Sequence, residues 1–413
     1  MKIITLSEEK FTRFANNHKY GNFYQTIQYA KVMKNEEYNY HLLGFINNNN
    51  ELIGATMILY RKIFFNYKMA YAPFGFLIDY TNSDLIEELT TKLKKLLIKQ
   101  KFMYLKINPK IYCSERDKNG NIISYNPEVN DILEILQKND YIHKGFNNYF
   151  ENMKPRWNAI IKLTASNENL YKNLSKQVKN KINKAKHCGI EITEGNIDDI
   201  EILYEFIKRK YNHSIKYYKN ILKEFGDDAK IYFAKVNPQK YIVEQKMAYE
   251  KELEINENYN EKLQTLSRSG KNITSIINKK MESDKKLSYH QNNLANASNF
   301  FAKYPEGLII GGIMVIKYQN GMNLVIEGFD KKYTTFNPNY LLKWELIKKF
   351  NQEEFNYFNL NGIVGEFKEK NKYSGLNEMK LGYNASAIEY IGEFDLIINK
   401  PIYNIYKKRN KNN

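Results

Sequence analysis

Between residues 239 and 302 the chain carries no proline and one glycine, Gly270 in "LSRSGKNITS". Charged runs of helical character flank that glycine, "QKYIVEQKMAYEKELEINENYNEKLQTL" before it and "NITSIINKKMESDKKLSYHQNNLANASNFF" after it. Their apolar stripe is sparse: Ile273, Ile276, Ile277 and Met281, then Leu287 and Leu294. The pattern predicts an antiparallel helical hairpin with Gly270 at its tip. At 1.5 Å per residue each arm runs on the order of 35–45 Å. So thin a stripe buries little of the hairpin, so it is expected to project from the body, either as a stabilising insertion or as a rod that grips something long.

The segments on either side are mixed α and β. "YHLLGFI" (40–46) and "LIGATMILY" (52–60) read as strands around an Asn-rich turn, and "MAYAPFGFLIDY" (69–80) as a strand and a turn. "SDLIEELTTKLKKLLIKQ" (83–100) reads as an amphipathic helix with Ser83 as N-cap, and "FMYLKINP" (102–109) as a strand stopped by Pro109. The same order returns late in the chain. "GLIIGGIMVIKY" (307–318) and "MNLVIEGFD" (322–330) form a hairpin pattern around "QNG". "NPNYLLKWELIKKF" (337–350) then reads as a helix with Pro338 in its first turn, and "FNYFNLNG" (355–362) as a strand. Two strands, a helix and a strand, used twice, predict a duplicated α/β (α+β) domain. The expected division is 1–152 for the first domain, 153–238 with 303–413 for the second, and 239–302 for the arm.

A length of 413 residues exceeds one core, and 43% hydrophobic residues suffice for two. Lys+Arg 63 against Asp+Glu 46 gives +17. That excess favours polyanionic partners such as nucleic acid, phosphorylated substrates or an anionic membrane surface, or else reflects a Lys- and Asn-rich composition. The two cysteines, Cys113 and Cys188, have no CxxC neighbour, so neither a disulfide framework nor a zinc site is implied. "MKIITLSEEKF" lacks the apolar core of a signal peptide, and no apolar run approaches the ~20 residues of a membrane span. The expectation is a cytoplasmic chain, with peripheral contact at the cytoplasmic membrane face left open.

HExxH, GxSxG and P-loop motifs are absent. More telling is "YKNLSKQVKNKINKAKHCGIEI" (171–192), which has six lysines and no acid between 172 and 186. Leu174, Val178, Ile182 and Ala185 share one helical face, while Lys172, Lys176, Lys179 and Lys186 occupy the other, an anchored helix with a cationic exterior. In "RKYNHSIKYYKNILKEF" (209–225), Tyr217 and Tyr218 stand among Arg209, Lys210, His213 and Lys216, a mixture suited to a ligand with phosphate and ring groups. Lys380 in "GLNEMKLGYNASAIEYIGEFDL" (375–396) precedes Glu393 by thirteen positions, a spacing that suits two neighbouring strands on which the two side chains meet.

Five stretches together resemble the Fem family of non-ribosomal peptidyl transferases (FemABX). "YQTIQYAKVMK" (24–34) is similar to its Q-S-x-x-W-A-x-x-K helix. "KQVKNKINKAKHCGIEI" is similar to its basic helix leading into G-[IV]-E, "IKYYKNIL" to its tyrosine-bearing helix, and "NLNGIVGEF" to its D-x-x-G-G-I segment. The 375–396 stretch is similar to its G-L-x-x-F-K…E-Y-I-G-E-F-D ending, the most specific of the five. The resemblance spans the chain, and the hairpin is similar to the helical arm of bridge-extending members.

The resemblance implies two acetyltransferase-like (GNAT-like) domains, aminoacyl-tRNA as donor and no cofactor. It also implies as acceptor the amine of a stem peptide, or of a bridge already attached to it, on a lipid-linked or UDP-linked muropeptide. It matches Lys380 to the family's functional lysine, Glu393 to its glutamate in "YIGEF" and Tyr217 to its precursor-binding tyrosine. With such a donor, Lys380 is expected to be catalytic with Glu393 orienting it, and the cationic face of Lys172, Lys176, Lys179 and Lys186 to contact tRNA. Met379 stands where the family has phenylalanine. The family's N-terminal lysine falls on Met33, leaving Lys31 or Lys34 to substitute, and its arginine before Tyr217 is His213. Its carboxylate after the first-domain strand is Asn108, which cannot act as a base. A CoA-using GNAT needs a Gly-rich pyrophosphate loop at a helix N-terminus, and the sequence has none. Two rivals stay open: a CoA-dependent N-acyltransferase, and a non-catalytic tRNA-binding protein with a coiled-coil arm.

Overall fold

The computed structural model describes residues 1–268 and 273–410; Gly270, the expected hairpin tip, lies outside them. Two sheets carry the chain. The first has the spatial order Lys2–Thr5, Asn39–Ile46, Leu52–Phe64, Tyr67–Ala72, Phe102–Ile107, Phe394–Ile397, Tyr141–His143. The second runs Ile190–Gly195, Ala229–Val236, Leu308–Tyr318, Gly321–Phe329, Tyr357–Ile363, Trp157–Lys162, Ser386–Tyr390, Tyr112–Arg116, Ile122–Tyr125.

The repeated pattern becomes a repeated topology. In each sheet an antiparallel hairpin (Leu52–Phe64 with Tyr67–Ala72; Leu308–Tyr318 with Gly321–Phe329) leads through a helix to a strand parallel to the hairpin's second member. The helices are Ser83–Lys99 and Pro338–Gln352. A parallel neighbour needs a crossover, and a helix with one apolar face supplies it while covering the sheet. The two sheets thus share one order of hairpin, helix and parallel strand, as the expected duplication requires. The first helix is capped by Asn82, whose side chain accepts the Leu85 N–H, and not by Ser83.

The boundary at 152/153 is crossed twice. Strand Phe394–Ile397 lies in the first sheet between Phe102–Ile107 and Tyr141–His143, while hairpin 112–125 extends the second sheet through Ser386–Tyr390. An apolar cluster also joins the halves, with Phe11, Ala30 and Val32 packing with Leu203, Ile221 and Met314. Sequence reading assigned each segment to the domain nearest along the chain, whereas strand pairing follows edge availability.

The arm is an antiparallel pair, Pro238–Arg268 and Thr274–Lys303, each about 45 Å long at 1.5 Å per residue. Its roots are anchored, for Tyr241, Ala297 and Phe300 are buried in the second domain's core, so residues 239–302 do not stand wholly apart from it. Midway, buried Asn256 donates to Ser283 Oγ (3.2 Å) and Asp284 Oδ1 (2.9 Å), a polar seam where the apolar stripe is too sparse to set register. Ile277 and Met281 of that stripe are exposed.

Candidate active site

The parallel strands Gly321–Phe329 and Tyr357–Ile363 pair over three residues, from Gly321↔Tyr357 to Asn323↔Asn359, and then diverge. The fork strips backbone carbonyls of sheet partners, and buried carbonyls need donors. Asn361, at φ 65°, donates from Nδ2 to Leu324 O at 3.1 Å. Lys380 donates from Nζ to Gly362 O at 2.9 Å. Lys380 belongs to the helix Ser374–Leu381 and is 5% exposed. That helix replaces the strand expected there.

Three charges surround Lys380: Glu327 on the opposite branch of the fork, Lys343 on the Pro338–Gln352 helix, and the exposed Lys210. Lys343 is fully buried and forms an ion pair with Glu327. Burial pushes the Lys380 ammonium down to about 7; Glu327 opposes this and Lys343 and Lys210 add to it. Burial would raise the Glu327 carboxyl, but Lys343, Lys380 and Lys210 outweigh it and hold it below the usual carboxylate range. Met379 packs beside this group, its Sδ 3.2 Å from Asn339 Nδ2 and 4.0 Å from Lys343 Nζ. Neither Glu327 nor Lys343 was picked out from the sequence; a glutamate and a lysine inside otherwise apolar elements were the available signal.

Glu393 is elsewhere. It lies between strand Ser386–Tyr390 of the second sheet and strand Phe394–Ile397 of the first. Its carboxylate accepts from Lys106 Nζ (3.1 Å) and from Met153 N–H (2.5 Å). The expectation that Glu393 orients Lys380 is therefore corrected. The residue opposite Lys380 is Glu327, because residues 374–381 coil into a helix and the following strand carries Glu393 across to the other sheet.

Near Glu393 stands an aromatic group. Tyr217 is buried on the helix Ile215–Phe225, and its ring stacks on His213 with centroids 3.9 Å apart. Its hydroxyl meets Tyr29 of the helix Ile27–Lys34, and burial raises its pKa. The cation here is Lys154, whose ammonium lies 4.0 Å from the Tyr24 ring centroid and 5.7 Å from that of Tyr29. Burial lowers the Lys154 pKa to about 8, with Glu393 opposing; burial also lowers His213, with Lys154 adding. Of the two lysines expected to fill this role, Lys31 pairs with Glu8 at 3.2 Å, and exposed Lys34 forms no ion pair among the described residues. Asn108 is buried and accepts from Tyr71 Oη (3.0 Å) and Phe74 N–H (2.9 Å), so it holds the chain between the Tyr67–Ala72 strand and the turn after it.

A cavity of about 330 Å³ lies beside Tyr24 and Lys154 and reaches Asn361 of the fork, though Lys380, Glu327 and Lys343 are not on its wall. Its walls include Tyr24, Phe74, Lys110, Lys154, Tyr357 and Asn361, and no carboxylate. Asn361 precedes the Gly362 whose carbonyl Lys380 holds. Gly362 itself presses on the Lys154 segment: a Cβ there would lie 2.6 Å from Pro155 Cγ, so only glycine fits.

The basic helix is two helices, Asn167–Asn173 and Lys176–His187, broken at Leu174 with Ser175 capping the second through Val178 N–H. The expected inner face holds, since Leu174, Val178, Ile182 and Ala185 are buried. Lys172, Lys176 and Lys186 are exposed, while Lys179 donates to Lys172 O at 2.8 Å across the break. Among the described residues, none of the six lysines between 172 and 186 forms an ion pair. A groove of about 850 Å³ separates the second helix from the root of the arm, with Lys184, His187, Tyr289, Asn293 and Lys303 on its walls.

The model of the FemAB family matches residues 6–411. The chain is 27% identical over 422 residues to aminoacyltransferase FemA of Staphylococcus epidermidis, covering 100% of this chain and 99% of that protein. It is 26% identical over 427 residues to aminoacyltransferase FemA of Staphylococcus aureus (strain bovine RF122 / ET3-1), covering 98% and 97%. The crystal structure of FemX superposes with a TM-score of 0.73 at 18% identity, over 98% of this chain and 99% of that one, a likeness of fold. With a match over nearly its whole length, the chain belongs to the FemAB family.

Proposed function

We propose that the protein transfers an amino acid from aminoacyl-tRNA to the amine of a peptidoglycan precursor, either on the stem peptide or on a growing interpeptide bridge. The observation that carries this reading is the buried Lys380 in the fork of the second sheet, whose ammonium holds the carbonyl of Gly362, the residue after Asn361 on the wall of a cavity lined by cations and aromatic rings. The acceptor amine attacks the ester carbonyl, a C–N bond forms, and the C–O bond to the ribose breaks. Negative charge develops on the carbonyl oxygen, and the Lys380 ammonium is the donor suited to meet it in a dry site. At a pKa of about 7 that ammonium is half populated near neutrality. No carboxylate lines the cavity to act as base, so the amine's proton leaves to substrate or water.

The basic helices, the groove beside the arm and the +17 charge support an RNA-borne donor, since phosphate neutralisation supplies most non-specific affinity for nucleic acid. A CoA donor is disfavoured by the segment entering the Pro338–Gln352 helix, "DKKYTTFN", which has no glycine and places Pro338, lacking an N–H, at the first helical position. The test is to supply charged tRNA with lipid-linked or UDP-linked muropeptide and read the muropeptide mass. An added aminoacyl residue is expected. TRNA binding without a mass gain would favour a non-catalytic tRNA-binding protein, and transfer from acyl-CoA would favour the CoA-dependent enzyme. Among the described residues, no helix is long and apolar enough to cross a membrane.

A further inference from the structure

The cavity between the sheets has three lysines on its wall and no acid among its lining residues. Two are already engaged. Lys162 pairs with Glu115 at 2.8 Å, and Lys110 donates to Gly21 O at 3.3 Å. Lys154 makes no hydrogen bond or ion pair among the described residues; its ammonium rests only on the faces of Tyr24 and Tyr29. A half-buried ammonium held against rings, with no ion-pair partner in contact, is an incomplete arrangement, because buried charge is normally paired.

The chain around Lys154 is pinned on both sides. The Met153 N–H is bound by Glu393, and Pro155 follows, which confines the backbone of Lys154 to extended conformations. Beyond it, buried Arg156 is fixed to Glu389 Oε1 at 2.7 Å and Tyr390 O at 3.2 Å. Glu393 favours the Lys154 ammonium from a distance but makes its ion pair with Lys106, at 3.1 Å, and none with Lys154. It holds the backbone one residue away and leaves the Lys154 charge facing the cavity.

We propose that Lys154 binds an anionic group of the acceptor, phosphate or carboxylate, in the inter-sheet cavity, and that Glu393 is the positioning residue that sets Lys154 there through the Met153 N–H. This rests on the acceptor reading given above. An anion arriving beside Tyr24 completes the ion pair that the cavity lacks. It also supplies at this site the positive charge that Met33 and His213 do not bring and that Lys31, drawn off by Glu8, cannot.

The test uses the full chain, with UDP-linked muropeptide, UDP and the free stem pentapeptide as calorimetric probes, together with transfer kinetics. A hydrogen bond to a charged group predicts that Lys154→Met weakens muropeptide binding about ten- to hundredfold. KM for the muropeptide should rise in proportion while kcat falls far less, and Lys154→Arg should recover most of the affinity. Loss of binding to UDP assigns the group as phosphate; loss of binding to the pentapeptide assigns it as carboxylate. Glu393→Gln, compared at equal thermal stability, should show a smaller KM defect of the same kind. Unchanged muropeptide affinity in a folded Lys154→Met overturns the assignment, as does a defect confined to kcat. A parent chain that binds none of the three probes overturns the acceptor reading and this proposal with it.

Discussion

Lys380→Met separates a working lysine from a packing one, because the two predict opposite stability effects. An exposed lysine releases its proton near 10.5, whereas buried Lys380 does so at about 7. At ~1.36 kcal/mol per pH unit, the fold holds about 5 kcal/mol against the charged form. The unfolded chain binds more protons between those two values, so this penalty is full at and below pH 7 and fades as pH rises toward 10.5. Methionine keeps the length and removes the charge. It orphans Gly362 O, which costs about 1–3 kcal/mol, while Glu327 keeps its pair with Lys343. The variant is therefore expected to be more stable than the parent by about 2–4 kcal/mol at pH 7, from the difference of those two terms. By pH 10.5 only the lost hydrogen bond remains and the sign reverses. Single-turnover transfer should meanwhile slow about 10²–10³-fold, the usual effect of removing one oxyanion donor. Urea titrations at pH 7 and pH 10, beside a rate measured at saturating muropeptide, check both halves. Transfer at the parent rate would refute the catalytic role. A variant less stable than the parent at pH 7 would refute the burial argument.

Four further outcomes are expected. Glu327→Gln leaves the fully buried Lys343 without its counter-charge and should lower stability by about 3–5 kcal/mol in urea, against under 1 kcal/mol if the pair is dispensable. Asn108→Ala orphans the Phe74 N–H and the Tyr71 hydroxyl; a loss of about 1–3 kcal/mol with near-parental kcat would mark it as structural. Replacing residues 249–292 by a short Gly/Ser linker should leave the unfolding midpoint nearly unchanged and weaken tRNA binding. Extending the cut to 239–302 removes buried Tyr241 and Phe300, each large-to-small loss costing about 3–5 kcal/mol, so the longer deletion should unfold at markedly lower denaturant. Changing Lys172, Lys176 and Lys186 to Gln should flatten the slope of log K against log salt for tRNA by about 0.9 per lost phosphate contact; an unchanged slope would assign them to solvation.

Local periodicity made most of the elements legible. The strands at 39–46 and 102–107, the helix at 83–99 and the late hairpin and helix lie within a few residues of where alternation and apolar spacing put them. The arm followed from the missing proline. The inner face of the basic helices followed from Leu174, Val178, Ile182 and Ala185, though not the break at Leu174, where Ser175 gives the backbone an alternative cap. The site was less legible because its members come from distant segments. Lys380 meets Glu327 and Lys343 only because two parallel strands part. Lys154 meets Tyr24 only because the halves share a cluster, and sequence spacing records neither event. The thirteen residues between Lys380 and Glu393 pointed to adjacent strands, but "GLNEMKL" turned into a helix and the next strand left for the other sheet.

The placement of strand Phe394–Ile397 bears on how the protein is made. It fills the gap between Phe102–Ile107 and Tyr141–His143, and the 250 residues 144–393 separate it from the end of the second of these. A ribosome adding about 5–20 residues per second takes on the order of 13–50 s to cover that distance. For that interval the amino-terminal half of the nascent chain has two strands with unpaired edges facing one another, and such edges recruit other chains. The first sheet therefore closes only after nearly all of the chain has been synthesised. A polypeptide that stops short of residue 393 leaves this sheet unfinished and lacks Glu393 to bind the Met153 N–H. Closing the sheet and setting Lys154 in the cavity thus become one event at the end of synthesis, and a prematurely terminated product is an exposed-edge fragment rather than a slow enzyme.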